Sequence, residues 1–321
     1  MATAEQIKAL IRSHLNEEQE QFITTALQVA AHEARRGHTD LAHEIRQLVD
    51  RVKSKPVVIV KFPNELSGLI ITEKPAVPLE ALVLSKDMKS KVERIILEFR
   101  QQNKLKSHGL IHRRKILLSG APGTGKTMTA KVLASELKQP LHIVQVDRLV
   151  TKFMGETSAK LRQIFDHIRD VCGVYLFDEF DAIGGERSLE NDVGEMRRVL
   201  NSFLQFIEND PSDNLIIAAT NNPRLLDRAL FRRFDDVLHY NLPGEEERSR
   251  LIANLLGTYY NKNFSLKKAA DLASGLSHSE IDRACRDAIK LAILKNKSCV
   301  TLTSLTELFN ERQAAYQIRE G

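Results

Sequence analysis

The sequence predicts an α/β protein: a parallel sheet with helices on both faces, a helical C-terminal region and a small helical N-terminal unit. Three observations predict it. From Lys115 onward, short apolar runs alternate with amphipathic stretches: "KILLSG", "LHIVQV", "VYLFDE", "LIIAAT" and "DVLHYNL". Strands separated by helical crossovers pair in parallel and become covered on both sides. The pattern turns helical after Pro243 and stays so. Residues 3–53 place apolar side chains at helical spacing, as in Phe22, Ala26, Val29 and Ala30.

In chain order, the first helical unit takes residues 1–55, with Gly37 dividing it into two or three helices and Pro56 closing it. Residues 56–84 follow as a short strand, "VVIVKF" (57–62), and an extended connector, "KPAVPLEALVL" (74–84). A basic helix over 85–106 carries Ile95, Ile96 and Phe99 on its apolar face. It opens the large α/β domain, 85–242, and the C-terminal helical domain takes 243–321.

Composition excludes several classes. The chain has 321 residues, 42% hydrophobic and 28% charged, which is ordinary for a globular protein with ample core. No apolar run reaches the ~20 residues of a membrane-spanning helix, and "MATAEQIKAL" lacks a signal-peptide layout. Cys172, Cys285 and Cys299 have neither metal nor disulfide spacing, which fits a reducing, cytoplasmic setting. A net charge of +5 does not by itself imply nucleic acid.

The chemistry begins at "GAPGTGKT". Gly120, Ala121, Pro122, Gly123, Thr124, Gly125, Lys126 and Thr127 match G-x-x-x-x-G-K-[ST] between a strand and a helix, with Met128 next in the helix. Glycines let backbone N–H groups wrap a polyphosphate, and the helix N-terminus favours negative charge. Lys126 reaches the terminal phosphates, and the Thr127 hydroxyl suits Mg²⁺. An ordinary glycine turn is the bland alternative, disfavoured by the strand and helix on either side. "VYLFDEF" ends a buried strand in Asp178, placed for the metal, and Glu179, placed to orient or deprotonate water. In "LIIAATNNPRLLDRALFRRFDD" a buried strand ends beside Asn221, a candidate hydrogen-bond donor to phosphate or water. Arg232 and Arg233 then stand adjacent. They read either as a solvated pair or as arginine fingers stabilising charge on a γ-phosphate.

These motifs, with "VYLFDEFDAIGGER" and "GEMRRVLNSFLQFIE" in order between them, resemble the AAA ATPases of the clade with a second region of homology. The resemblance spans roughly residues 85–300. It implies ATP as substrate and Mg²⁺ as cofactor, Glu179 and Asn221 as catalytic and sensor residues, and Arg232 and Arg233 acting on ATP held by a neighbouring subunit. It also implies a hexameric ring that pulls on protein substrates, and a helical lid in 264–293. Two departures are visible. Many relatives put Pro-Gly between the two arginines, so one of them is displaced here, with Arg232 the preferred finger. His278 and Ser279 stand in the lid where small residues are common.

The resemblance also gives meaning to "TKFMGET" (151–157). Phe153, Met154 and Gly155 fall where the family carries a pore-loop tripeptide: an aromatic for sequence-tolerant grip, an adaptable apolar neighbour and a glycine for mobility. Burial of Phe153 in the domain is the ordinary alternative. The whole layout, a helical leader before one ATPase module, is similar to bacterial ATPases paired with a subtilisin-like serine protease in anti-phage systems. That implies a partner protein, a protease, since this sequence itself has no HExxH motif and no Ser/His/Asp set.

Residues 86–115 hold ten cations against Asp87, Glu93 and Glu98. A nucleic-acid surface is the less favoured reading, because Phe99 lies on the apolar face and no aromatics are interleaved among the cations for stacking on bases. A DNA-directed ATPase and a non-threading regulatory switch therefore stand as the alternatives to a protein remodeller.

Overall fold

The computed structural model describes residues 8, 13, 19–35, 38, 41–45, 68–149, 154–180, 192–222 and 231–317. The chain divides into two units, 1–64 and 65–321. In the first, α1 (Gln19–Arg35) buries Ala26, Val29 and Ala30 at the expected helical spacing. The strand expected at 57–62 lies outside the described residues.

The second unit opens with β1 (Ile70–Glu73), α2 (Lys86–Arg100) and α3 (Gln102–Ser107). Next come β2 (Lys115–Gly120), α4 (Lys126–Glu136), β3 (Leu141–Val144), α5 (Val146–Leu149), α6 (Met154–Asp170) and β4 (Val174–Phe177). Then follow α7 (Asp192–Asn209), β5 (Leu215–Thr220) and β6 (Asp236–Tyr240). Four helices complete it: α8 (Glu245–Leu256), α9 (Leu266–Leu272), α10 (His278–Leu294) and α11 (Leu302–Gln317).

The six strands form one sheet in the order β1-β3-β4-β5-β2-β6. All neighbours are parallel except β1, which runs antiparallel to β3 at the edge. The predicted parallel sheet is thus correct for five strands, and β1 is an addition. Its Ile71 and Thr72 are exposed, as an edge strand covered on one side allows.

Side-chain alternation along the strands builds a layer on each face. Ile116, Leu118, Leu176, Leu215 and Ile217 share one core with Val92, Ile95 and Ile96 of α2 and Leu133 of α4. On β4 the alternate residue Phe177 meets Phe165 of α6 and Phe203 of α7, with ring centroids 5.8 and 4.9 Å away. Helices α8–α11 bury a separate core that includes Ile252, Leu256, Ile281, Ala284, Leu305 and Phe309. Cys285 lies in that core, and burial pushes its thiol up to about 12, so it is inert as a nucleophile. No described helix is long and apolar enough to cross a membrane.

Candidate nucleotide-binding and catalytic site

Adjacent parallel strands β4, β5 and β2 end on one edge of the sheet, and the candidate residues follow those ends directly. This is where an open α/β sheet forms its ligand crevice. Gly120 closes β2, Asp178 and Glu179 follow β4, and Asn221 follows β5.

The phosphate loop shows why its glycines are glycines. A Cβ on Gly120 would run into the Tyr240 backbone carbonyl. One on Gly123 would overlap Ser279 Oγ and lie 2.8 Å from Ser277 Oγ. Gly125 has open space around it, and there the backbone sets the requirement: it is the N-cap of α4 at φ 104°. No side chain caps that helix, so its first N–H groups are left for an anion. Thr124, buried, closes the loop by donating to the Ala121 carbonyl at 2.7 Å. Lys126 is buried too, its Nζ donating to the carbonyls of Gly120 and Ala121 at 2.8 and 2.9 Å. Behind the loop, the Tyr240 hydroxyl donates to Thr129 Oγ1 at 2.6 Å, tying α4 to the end of β6.

Opposite the loop, Thr127 Oγ1 donates to Asp178 Oδ2 at 2.8 Å. A hydroxyl and a carboxylate in contact form a hard oxygen pair of the kind Mg²⁺ takes alongside substrate phosphates. Glu179 has a left-handed backbone, φ 52°, rare for a residue with a side chain. Its N–H donates to Asp178 Oδ1 at 3.0 Å, and the next residue, Phe180, is fully buried against Phe203 at 4.4 Å between centroids. The strained turn is therefore held from beneath while Glu179 itself stays exposed.

These residues line a cleft of about 970 Å³ together with Pro122, Met128 and Asn221. Its other wall comes from segments far off in sequence: Ala81, Leu82 and Val83 of the connector, Leu251 and Leu255 of α8, and His278, Ser279, Asp282 and Arg286 of α10. Ser279 N–H donates to the Gly123 carbonyl at 3.0 Å, so the start of α10 rests on the phosphate loop. Asp282 and Arg286 continue the same helical face and pair with each other at 2.8 and 2.9 Å. The His278 ring is held below its usual pKa, chiefly by burial, and is neutral near pH 7. Sequence reasoning missed Asp282, Arg286 and the connector wall. The i, i+3, i+7 spacing from Ser279 was the signal for the first two.

Arg232 and Arg233 do not line this cleft. Arg233 is paired with Glu208, while Arg232 is exposed and has no ion pair among the described residues. Phe153 lies outside the described residues, and Met154 and Gly155 open α6 without described side chains.

Most cations of the basic stretch are already engaged. Lys89 and Lys91 pair with Glu93 and Asp87 on their own helix. Arg94, Arg100, Lys106 and Arg114 pair with Asp236, Glu136, Asp213 and Asp210. Arg113 pairs with Glu98, and Lys115 Nζ donates to the Glu208 carbonyl at 3.0 Å.

The family model for the ATPase family associated with various cellular activities (AAA) matches residues 116–242. Across 309 residues the chain is 34% identical to the AAA family ATPase y4kL of Sinorhizobium fredii, covering 94% of this chain and 92% of that one. It is 31% identical over 272 residues to the proteasome-activating nucleotidase of Pyrococcus abyssi, covering 80% and 68%. It is 29% identical over 257 residues to the ATP-dependent zinc metalloprotease FtsH 1 of Methylacidiphilum infernorum, covering 78% of this chain and 40% of that one.

Proposed function

The chain belongs to the AAA family of ATPases, and from that premise we propose that it is an ATP-driven protein remodeller working as a hexameric ring. The observation that carries the chemistry is the Thr127–Asp178 contact facing the glycine loop, with Glu179 beside it on a held turn. Lys126 binds the terminal phosphates of ATP, Glu179 orients and deprotonates the attacking water, and Asn221 hydrogen-bonds phosphate or water. Thr127 and Asp178 would hold Mg²⁺, which neutralises charge on the phosphate oxygens when bound. Arg232 acts as the finger on a neighbouring subunit's ATP. Its exposure and absence from its own cleft support this, while Arg233, held by Glu208, positions the turn.

The work is done on protein. Phe153, Met154 and Gly155 grip an extended chain at the ring's pore, and two relatives with names tied to proteolysis favour that reading. The engaged cations speak against a DNA-directed machine, since phosphate contacts need free Lys and Arg. In the layout we propose, residues 85–242 form the large ATPase domain, 243–321 the lid and 56–84 the connector. Residues 1–55 recruit a partner, and the resemblance to protease-paired anti-phage ATPases supports a cytoplasmic protease as that partner.

The test is capture. Glu179→Gln should bind ATP, turn it over very slowly and retain a protein partner only when ATP is present. Phe153→Ala should keep ATP turnover and lose work on that partner. A Phe153→Ala protein that drives its partner normally contradicts threading.

A further inference from the structure

Two cavities meet at one side chain. The ATP cleft has a charged end, where Lys126, Thr127, Asp178 and Glu179 gather, and a wall of Ala81, Leu82, Val83, Leu251, Leu255 and His278. The first suits phosphates; the second sets Ala81, Leu82, Val83, Leu251 and Leu255 beside polar Glu80, Asn254, Ser279, Asp282 and Arg286, and its apolar part suits a heterocyclic base. Beyond that wall lies a second cavity of about 200 Å³ at the junction of β6 and the lid, lined by Ser85, Met88, His239, Asn241 and Glu247 among others. His278 is the one residue common to both linings.

Its ring is held in place. The Val83 carbonyl can only accept, so His278 Nε2, 3.2 Å away, is the donor. That bond joins the first turn of α10 to the connector, closing the gap between two walls of the cleft. Nδ1 is then the acceptor nitrogen, and it is buried without a hydrogen-bond partner.

We propose that His278 is a specificity-determining residue: it partitions the ATP cleft from the second cavity and so limits the size of the base admitted. The proposal rests on the assignment of this cleft to ATP with its phosphates at Lys126. Removing the imidazole joins the two cavities and lets a bulkier base extend toward Ser85 and Asn241.

The experiment compares ATP with N6-benzyl-ATP, as kcat/KM, for the full-length protein, His278→Ala and His278→Gln. The unsubstituted protein should turn over ATP and reject the benzyl analogue. His278→Ala should shift the preference toward the analogue by at least tenfold and raise KM for ATP about fivefold, the worth of one neutral hydrogen bond, with kcat within twofold. His278→Gln, which keeps a donor and most of the volume, should stay near the unsubstituted ratio. An unchanged ratio in His278→Ala, with ATP turnover intact and the same Tm, overturns this proposal alone. Equal use of both nucleotides by the unsubstituted protein overturns it as well, whether or not the alanine variant folds. No ATP turnover in the unsubstituted protein overturns the assignment of the cleft, and the proposal with it.

Discussion

Gly123→Ala tests whether the lid rests on the phosphate loop. Gly123 has φ 73°, in the left-handed region, and the added methyl would overlap Ser279 Oγ. Holding an L-residue there costs roughly 1–2 kcal/mol. If Ser279 withdraws, its 3.0 Å bond to the Gly123 carbonyl goes too, a further loss of about 1 kcal/mol. Together these reach about 2–3 kcal/mol, a weakening of nucleotide binding by roughly 30- to 150-fold at about 1.4 kcal/mol per decade. The fold should be largely spared, because without nucleotide the loop can relax away from the strained geometry that binding demands, and the methyl meets Ser277 and Ser279 rather than the core beneath the sheet. Titration with a fluorescent ATP analogue reads the affinity, and Tm without nucleotide reads the fold. Adding Ser279→Gly should recover part of the loss by removing the overlapping hydroxyl, leaving the backbone strain. Binding within threefold of the unsubstituted protein for Gly123→Ala would show that lid and loop do not meet as described.

Phe180→Ala removes a fully buried ring from beneath the Glu179 turn. It should destabilise the protein by about 3–5 kcal/mol and lower kcat more than ATP affinity, read from denaturant midpoints and steady-state kinetics. His142 is buried, stacked on Tyr175 at 4.6 Å, and burial holds its pKa down at about 4. A folded pKa below the unfolded value of about 6.5 means that its contribution is complete above that pH and is lost as pH falls toward 4, roughly 3 kcal/mol in all. His142→Gln should flatten stability across that window, and an unchanged slope would exclude His142 as its source. Arg232→Ala should lower ATP turnover on the order of 10³-fold or more, and Arg233→Ala should lower it less.

The sheet was legible because β2, β4 and β5 are continuous apolar runs that bury both faces. β1 was not: "IITE" is four residues long, half exposed, and ordered by its pairing with β3 some seventy positions later. The glycine loop, Asp178, Glu179 and Asn221 carry local signatures, since strand ends and turn residues announce themselves. The cleft's other wall has none. Val83, Leu251 and Arg286 meet only after the chain folds, and only His278 and Ser279 stood out, as side chains bulky for their positions. The basic stretch shows the same limit. Its local acids are few, but Glu136, Asp210, Asp213 and Asp236 arrive from elsewhere to neutralise it.

The central claim is that ATP is hydrolysed between subunits, with Lys126 of one and Arg232 of the next. Mixing Lys126→Ala protein with Arg232→Ala protein measures it most directly. Each alone should be inactive, the first for want of ATP binding and the second for want of a finger. Mixed rings contain some interfaces with both parts intact, so ATP turnover should reappear and vary with the mixing ratio. Two inactive proteins that stay inactive at every ratio while assembling together, or full turnover by a strictly monomeric preparation, would contradict the account.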